Sequence, residues 1–175
     1  MSPAARLAFV RRGGSIESEH WGHGAIVDSR GRLVRGFGSP EVATFLRSSA
    51  KPFQAMTAIE VGGADRFGWT SSDLAVTCSS HDASAEHLAI VRGLLEKASL
   101  DESAFRCGPH PPIDSQTREQ LIRESISPRP IHNNCSGKHA GMLSACLAAS
   151  WPTAEYELAA HPLQQAIRET VARLS

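Results

Sequence analysis

A serine and a lysine stand three residues apart in the segment Ser48-Ser49-Ala50-Lys51. At a helix start this spacing places both side chains on one face, a turn apart. A lysine kept neutral by desolvation or by a second cation takes the proton from a serine that attacks a carbonyl group. The positive end of the helix would stabilise the oxyanion that forms. The pair is typical of acyl-serine enzymes with the S-x-x-K motif, although any serine-rich helix start produces it.

Lysine is scarce in this chain, which contains fifteen arginines and only three lysines, Lys51, Lys97 and Lys138. Arginine stays charged in proteins, whereas a buried lysine can lose its proton and act as a base or a metal ligand. Lys97, at the end of an amphipathic helix, is interpreted as a surface residue. The sequence therefore points to Lys51 and Lys138 as the lysines that carry chemistry.

A thiol, two hydroxyls, an imidazole and a carboxylate follow one another in Cys78-Ser79-Ser80-His81-Asp82. Ser80 offers a second hydroxyl for proton relay or substrate contact, and His81 with Asp82 offers contacts to the charged groups of a substrate. The alternative is a polar helix C-terminus whose side chains bond to the local backbone, and the sequence alone favours that alternative.

The densest polar cluster is His132-Asn133-Asn134-Cys135-Ser136-Gly137-Lys138-His139, at a predicted helix start. Cys135 and Lys138 have the same spacing as Ser48 and Lys51, so they share a face. A thiolate there could bind a metal or remain reactive beside the lysine. A single cysteine at a helix start is, without other information, more often a small buried apolar residue. Cys107 and Cys146 are interpreted as core or loop residues.

Strand-forming runs open the chain and must be positioned against the helices that follow. Three or four antiparallel strands are predicted from the runs Leu7 to Val10, Ile16 to Trp21, Ala25 to Val27 and Leu33-Val34. The segment Asp28-Ser29-Arg30-Gly31 predicts a hairpin turn.

After Gly38-Ser39-Pro40 the apolar periodicity is helical. Six helices are predicted. The first begins at Ser48 or Ser49, has Pro52 in its first turn and ends at Gly62-Gly63, and the second begins at the capping box Thr70 to Asp73 and ends near Cys78 to Ser80. The other four span Glu86 to Ala98, about 116 to 125, Lys138 to Ala149, and a segment that begins at Pro162. The glycine and alanine content of the fifth helix predicts close packing against another element. No later strand completes the opening sheet, so residues 1–175 are expected to be the N-terminal part of one domain whose C-terminal half is missing.

Composition excludes several function classes. The net charge is zero and the arginines are scattered, so nucleic acid is not an expected partner. No apolar run approaches the ~20 residues that span a bilayer, and the N-terminus lacks a secretory signal, which predicts a cytoplasmic protein without a membrane partner. Four cysteines without a C-x-x-C pair do not form a disulfide framework or a complete structural zinc site.

Four segments, in order along essentially the whole chain, together resemble the rhizobial-type L-asparaginases of the asparaginase II family. They are Arg47 to Pro52, Cys78 to His81, Arg106 to His110 and His132 to Met142. The resemblance implies a homodimeric amidohydrolase of asparagine catabolism that converts L-asparagine to L-aspartate and ammonia. It also implies an α/β (α+β) fold similar to serine β-lactamases and penicillin-binding proteins, with an N-terminal antiparallel sheet and packed helices.

The resemblance also implies roles for individual residues. Ser48 matches the nucleophile, Lys51 its base, and Ser80 the serine of a second Ser-Lys tandem. Cys135 and Lys138 match two residues of a zinc site. The substrate-binding positions are Arg47, His81, Asn134, Gly137 and His139. The family's second zinc cysteine, a neighbouring aspartate and the lysine partner of the second serine lie beyond residue 175, so the zinc site is expected to be incomplete. No organic cofactor is implied.

Two other functions stay open. A penicillin-binding or β-lactamase-like acyl-serine enzyme also uses S-x-x-K, but its S-D-N and K-T-G companions are absent from this sequence. A non-catalytic truncated fragment or zinc-binding module is favoured by the helical pattern that is still running at Ser175.

Overall fold

The computed structural model describes residues 3–174, which form a mixed α/β structure of small antiparallel sheets and several helices. This confirms the predicted fold class at that level. The chain divides into two compact units, Met1–Phe45 and Leu46–Ser175. The assignment of the whole chain to one domain stays a prediction.

The first unit consists of two β-hairpins. Its strands are β1 (Ala5–Arg12), β2 (Ser15–Gly22), β3 (Gly24–Val27) and β4 (Leu33–Phe37), with β1 antiparallel to β2 and β3 antiparallel to β4. The four predicted strands are therefore confirmed, but they form two separate two-stranded sheets instead of one. Only His23 separates β2 from β3, and one residue is too short to reverse the chain and pair them.

The turn between β3 and β4 lies where the sequence predicted it. The Asp28 carboxylate accepts hydrogen bonds from the N–H groups of Arg30 and Arg32, at 2.9 and 3.0 Å. An aspartate that bonds to the backbone two residues on fixes a turn locally, without help from other elements.

The second unit is helical. Its α-helices are α1 (Lys51–Glu60), α2 (Gly63–Arg66), α3 (Ser71–Cys78), α4 (Ala85–Lys97), α5 (Ser115–Arg123), α6 (Ser136–Ala148) and α7 (Pro162–Leu174), and 3-10 turns span Arg47–Ala50, Glu102–Ala104 and Pro130–His132. All six predicted helices are present. The predicted stop at Gly62, where φ is 80°, is real, but the chain then forms the short helix α2 that the sequence did not predict.

Helix α6 lies at the centre of this unit and contacts α1, α2, α3 and α4. Its small residues permit the close packing that the sequence predicted. A Cβ atom at Gly141 would stand 2.9 Å from Cγ2 of Thr77, closer than side-chain atoms approach. The core around α6 includes buried Val91, Leu94, Ile131, Leu143 and Leu163.

The start of α3 has the predicted capping box. The Asp73 carboxylate accepts from the Thr70 N–H at 2.7 Å, and the Thr70 hydroxyl accepts from the Asp73 N–H. Lys97, interpreted from the sequence as a surface residue, is exposed but also donates to the buried Asp73 carboxylate at 2.5 Å. Burial raises the pKa of Asp73, but the hydrogen bonds from Lys97 and Thr70 outweigh it and leave that pKa below its ordinary value.

Helix α7 is joined to α1 by polar side chains. The buried hydroxyls of Thr57 and Thr170 lie 3.1 Å apart, and the Thr170 hydroxyl also donates to Glu60 at 3.2 Å. Arg173 forms an ion pair with the same glutamate. These contacts connect residues more than one hundred positions apart in the sequence and fix the C-terminal end of α1.

Candidate functional site

Lys51, Ser80 and Ser48 form a continuous chain of hydrogen bonds. The buried Lys51 amine donates to Oγ of Ser80 at 2.6 Å and to the carbonyl oxygen of Ser79 at 2.8 Å. Oγ of Ser80 lies 3.2 Å from Oγ of Ser48. The structure therefore brings together the three residues predicted to carry catalysis, with the Ser80 hydroxyl between the other two.

Local structure explains how Ser48 and Lys51 reach this position. Ser48 lies in the 3-10 turn Arg47–Ala50, and Lys51 is the first residue of α1, followed by Pro52 in the first turn as predicted. Proline is well accommodated there because its missing N–H would have no partner inside the helix.

The residue before Ser48 has an unusual backbone. Arg47 has φ of 53°, in the left-handed region that residues with a Cβ rarely adopt. Such strained residues are concentrated at functional sites, where the surrounding structure holds them. Arg47, predicted from the sequence to bind substrate, is exposed.

His81 connects the loop after α3 to the start of α6. Its Nδ1 accepts from the Ala83 N–H at 3.2 Å, and its Nε2 lies 2.9 Å from Oγ of Ser136. Because the Ser136 hydroxyl donates to the Ile131 carbonyl at 2.8 Å, its oxygen accepts from His81, and the proton of the imidazole is on Nε2. The Gly137 N–H contacts the same nitrogen at 3.4 Å, which is the weaker contact.

The environment of His81 keeps its ring neutral. Burial, followed by the charges of His87 and Lys51, lowers its pKa from the ordinary 6.5 to about 4. Both ring nitrogens contact the protein itself, so this structure gives His81 a positioning role. A contact between His81 and substrate stays a prediction.

Asp82 forms a second polar group on the same loop. Its carboxylate accepts from Nδ1 of His87 at 2.7 Å and from the Ser84 N–H at 2.9 Å. The hydrogen bond from the Ser84 backbone is the main cause that lowers the pKa of Asp82. Its carbonyl oxygen also accepts from the Asp114 N–H at 2.8 Å, which fixes the loop to the start of α5.

The second lysine is electrostatically close to the first. Burial lowers the pKa of Lys138, and the charge of Lys51 lowers it further, while the thiols of Cys135 and Cys107 oppose that change. A buried amine near a second cation loses its proton more easily than an exposed lysine. Lys138 therefore has the environment that the scarcity of lysine predicted for a lysine with a chemical role.

Asn133 holds the loop that precedes α6. Its Nδ2 donates to the carbonyl oxygens of Cys107 and Gly108, at 2.8 and 3.2 Å, and its Oδ1 accepts from the Cys135 N–H at 2.9 Å. One side chain therefore fixes the Cys107 loop beside Cys135. Neighbouring Asn134, a predicted substrate-binding residue, is half-buried.

His139 is oriented by Tyr156, the only tyrosine of the chain. The Tyr156 hydroxyl oxygen accepts from the Arg106 N–H at 3.0 Å and lies 2.6 Å from Nδ1 of His139. With the Tyr156 hydroxyl as donor to Nδ1, the neutral His139 ring carries its proton on Nε2. Burial, assisted by Lys138 and Lys51, lowers the pKa of His139 to about 3, so the ring is a neutral N–H donor.

The L-asparaginase II family model matches residues 8–175. The chain belongs to the L-asparaginase II family. No individually curated protein matches the sequence. Membership of an L-asparaginase family indicates a hydrolase that acts on amides, with an amino-acid amide as substrate.

The zinc site implied by the resemblance to this family was compared with the side chains present. Cys135, at the start of α6, and Lys138, in its first turn, supply two ligands of suitable chemistry, whereas catalytic zinc sites have three protein ligands. Across residues 3–174, no group of three or more His, Cys, Asp or Glu side chains is arranged to hold a metal ion. The described residues do not complete a zinc site, and zinc binding stays a prediction.

The interpretation of Cys107 as a core or loop residue is confirmed, because it lies in a loop, half-buried against the core, and burial raises its pKa to about 11. One residue next to the candidate site, Tyr156, was missed by the sequence analysis. Tyr156 is fully buried and gave no signal, because its partner His139 is seventeen positions away on another element.

Gly137 is required by packing at the start of α6. A Cβ atom there would stand 2.5 Å from the carbonyl oxygen of Val76 on α3. Gly137, predicted from the sequence to bind substrate, therefore also has a structural role in this chain.

A cavity near the candidate site is lined by residues other than those of the hydrogen-bonded chain. A cavity of about 240 Å³ borders α3 and α4 and is lined by Ser72, Ala75, Val76, Ser79, Glu86, His87 and Ile90. Since Ser48, Lys51 and Ser80 are not part of that lining, the cavity is not assigned to substrate.

Within residues 3–174, no helix is both long and apolar enough to cross a membrane.

Proposed function

We propose that this chain hydrolyses L-asparagine to L-aspartate and ammonia, with Ser48 as the nucleophile. The observation that carries the proposal is the hydrogen-bonded chain Lys51–Ser80–Ser48, with 2.6 Å and 3.2 Å between its successive polar atoms. Membership of the L-asparaginase II family supports the substrate. A fold similar to serine β-lactamases is part of the proposal, and the S-x-x-K serine and lysine at the start of α1 support it.

The first half-reaction requires the Lys51 amine to be neutral so that it can accept a proton. Oγ of Ser48 attacks the side-chain amide carbon of asparagine, its proton passes to Ser80, and the Ser80 proton passes to the Lys51 amine. The tetrahedral intermediate then collapses as the C–N bond breaks, and the same relay returns the proton to the leaving nitrogen. The products are ammonia and an aspartyl ester of Ser48.

Water completes the cycle. The relay takes a proton from a water molecule that attacks the ester carbon, and the Ser48 oxygen recovers a proton as aspartate leaves. His139 supplies a fixed neutral N–H near Lys51, suited to binding a carboxylate or carbonyl oxygen of the substrate.

The test measures ammonia release from L-asparagine and the mass of the protein during turnover. Ser48→Ala is expected to lower kcat about 10³-fold or more and to remove the aspartyl adduct. Ser49→Ala is the matched control, because the Ser49 hydroxyl donates only to the Leu46 carbonyl at 2.5 Å outside the relay. Normal turnover in Ser48→Ala would refute the nucleophile.

The same assay separates the rival functions. Hydrolysis of nitrocefin in preference to asparagine would favour the penicillin-binding or β-lactamase-like alternative. A folded wild-type chain that releases no ammonia would favour the non-catalytic module. Zinc content, measured on the same sample, tests the predicted ligands Cys135 and Lys138 separately. A homodimer and a cytoplasmic location remain predictions, tested by sedimentation and by fractionation of cells.

A further inference from the structure

A cleft lies between α4, α5 and the 3-10 turn Pro130–His132, apart from the residues of the proposed relay. Its volume is about 410 Å³, within the size range of small-molecule sites. Its lining includes Leu88, Arg92, Leu121, Glu124, Ile126 and His132. Ser48, Lys51 and Ser80 are not among them.

One part of the lining is apolar. Leu88 on α4 is buried, Leu121 on α5 is half-buried, and Ile126 exposes 45% of its surface. An isoleucine that exposes so much surface beside a concave wall gains free energy when an apolar ligand covers it. The cleft therefore accommodates a short aliphatic group.

Arg92 brings a positive charge to the cleft. Among residues 3–174 no ion pair joins its guanidinium to a carboxylate, although Glu96, Asp101 and Glu102 line a neighbouring cavity with it, whereas Arg129 is paired with Glu102 at 3.3 Å. A guanidinium presents several N–H donors in a planar fork that matches a carboxylate. Arg92 is the group in this cleft that lacks such a partner.

His132 adds a fixed donor that is almost completely buried, with 4% exposed. Its Nδ1 accepts from the Arg129 N–H at 2.9 Å, so the proton of the neutral ring is on Nε2. Within the part of the chain that the structure describes, this Nε2–H has no acceptor. Burial and the charges of Arg129 and Arg92 lower the pKa of His132, which keeps the ring in this neutral form.

Glu124 limits which anions fit. It accepts a hydrogen bond from Gln120 at 3.0 Å and places a carboxyl group on the wall formed by α5. This group disfavours a dianion such as phosphate or a dicarboxylate more strongly than a monocarboxylate, whose single charge Arg92 and His132 can bind.

The geometry points to a binding site for a small monocarboxylate with a branched aliphatic end. The carboxylate is held by the Arg92 guanidinium and the His132 Nε2–H, and the aliphatic end packs against Leu88, Leu121 and Ile126. This site is independent of the proposed amidohydrolase activity, since it shares no residue with the relay.

The test is an NMR titration of the ¹⁵N-labelled 175-residue chain with isovalerate. Backbone signals of Leu121 and Ile126 are expected to shift. Arg92→Gln is expected to weaken binding about tenfold or more, the usual effect of losing a charged hydrogen-bond partner. Arg123→Gln is the matched control, because this exposed arginine on α5 does not line the cleft. It should bind as the wild type does.

Two probes keep the proposal testable if a variant fails to fold. 3-Methylbutan-1-ol, which has the same aliphatic end without the charge, should bind at least tenfold more weakly than isovalerate to the wild type. Inorganic phosphate should not compete. Equal binding of the acid and the alcohol, displacement by phosphate, or unchanged affinity in Arg92→Gln would each overturn the proposal.

Discussion

The amine of Lys51 lies 2.6 Å from the hydroxyl of Ser80, although 29 residues separate them in the sequence. The same hydroxyl lies 3.2 Å from Oγ of Ser48. The sequence spacing suggested that lysine and serine act on each other directly, and the structure places a second serine between them. The proposed proton transfer between Ser48 and Lys51 therefore depends on the loop that follows α3.

Ser80→Ala is expected to lower kcat for asparagine hydrolysis about 10²-fold or more, because it removes the atom that connects Lys51 to Ser48. Ser79→Ala is the control, since Lys51 binds the carbonyl oxygen of Ser79 and the Ser79 hydroxyl donates to Val76. Steady-state kinetics of the two variants provide the comparison. Similar kcat values would show that Ser80 does not relay the proton.

Tyr156→Phe should release the ring of His139 from its fixed tautomer, because the donor to Nδ1 is lost. We expect the KM for asparagine to rise about tenfold, with a smaller change in kcat, because the hydrogen bond from Nε2–H of His139 to a substrate oxygen is made less often. The ¹⁵N shifts of His139 report the tautomer directly. A variant that retains the Nε2–H tautomer and its KM would contradict the positioning role of Tyr156.

Gly137→Ala is expected to destabilise the fold by about 2 kcal/mol, because the added Cβ meets the Val76 carbonyl oxygen at 2.5 Å and the backbone must move. Gly93→Ala on α4 is the matched control. Nothing lies within 4 Å of its added Cβ, so it should stabilise the fold by about 0.5–1 kcal/mol. Urea unfolding measures both, and equal effects would refute the packing argument.

Acid should destabilise the chain through His81, whose pKa is about 4 in the folded protein against an ordinary 6.5. Below pH 6.5 the unfolded chain binds a proton that the folded chain does not, so the free energy of unfolding falls as pH decreases to about 4. The loss is about 1.4 kcal/mol per pH unit, or about 2 kcal/mol at pH 5. His81→Gln should remove about 1.4 kcal/mol per pH unit from the slope between pH 6.5 and 4, while buried His139, whose pKa is about 3, maintains the remainder. Exposed His110→Gln should leave the slope unchanged. Parallel profiles for both variants would contradict it.

Elements built by local interactions were predictable from the sequence. The Asp28 turn, the Thr70 capping box and the apolar stripe of α4 each depend on residues within a few positions of one another. The resemblance of four segments to one family likewise indicated Ser48, Lys51 and Ser80 together. Helix periodicity and family motifs are therefore sufficient to locate Ser48, Lys51 and Ser80, but not Tyr156.

Contacts between distant segments were not predictable. The position of Ser80 between Ser48 and Lys51, the bond from Tyr156 to His139, and the pairing of exposed Lys97 with buried Asp73 all depend on how helices pack. Hydrophobic patterns specify which face of a helix is buried but not which polar atom it meets. The strands form two hairpins because only His23 connects β2 to β3. Strand propensities do not predict the length of such a connection.

Helix α1 carries Lys51 at its first residue and Glu60 at its last, and ten residues of α-helix measure about 15 Å. Thr170 and Arg173 on α7 hold the far end. The helix behaves as a rigid rod, so a change of tilt at the Glu60 end moves the lysine by a comparable amount. A genetic screen for inactive variants should therefore recover substitutions at Thr170, a residue on α7 outside the proposed relay. We expect distance from Ser48 to be a poor guide to mutational tolerance in this chain.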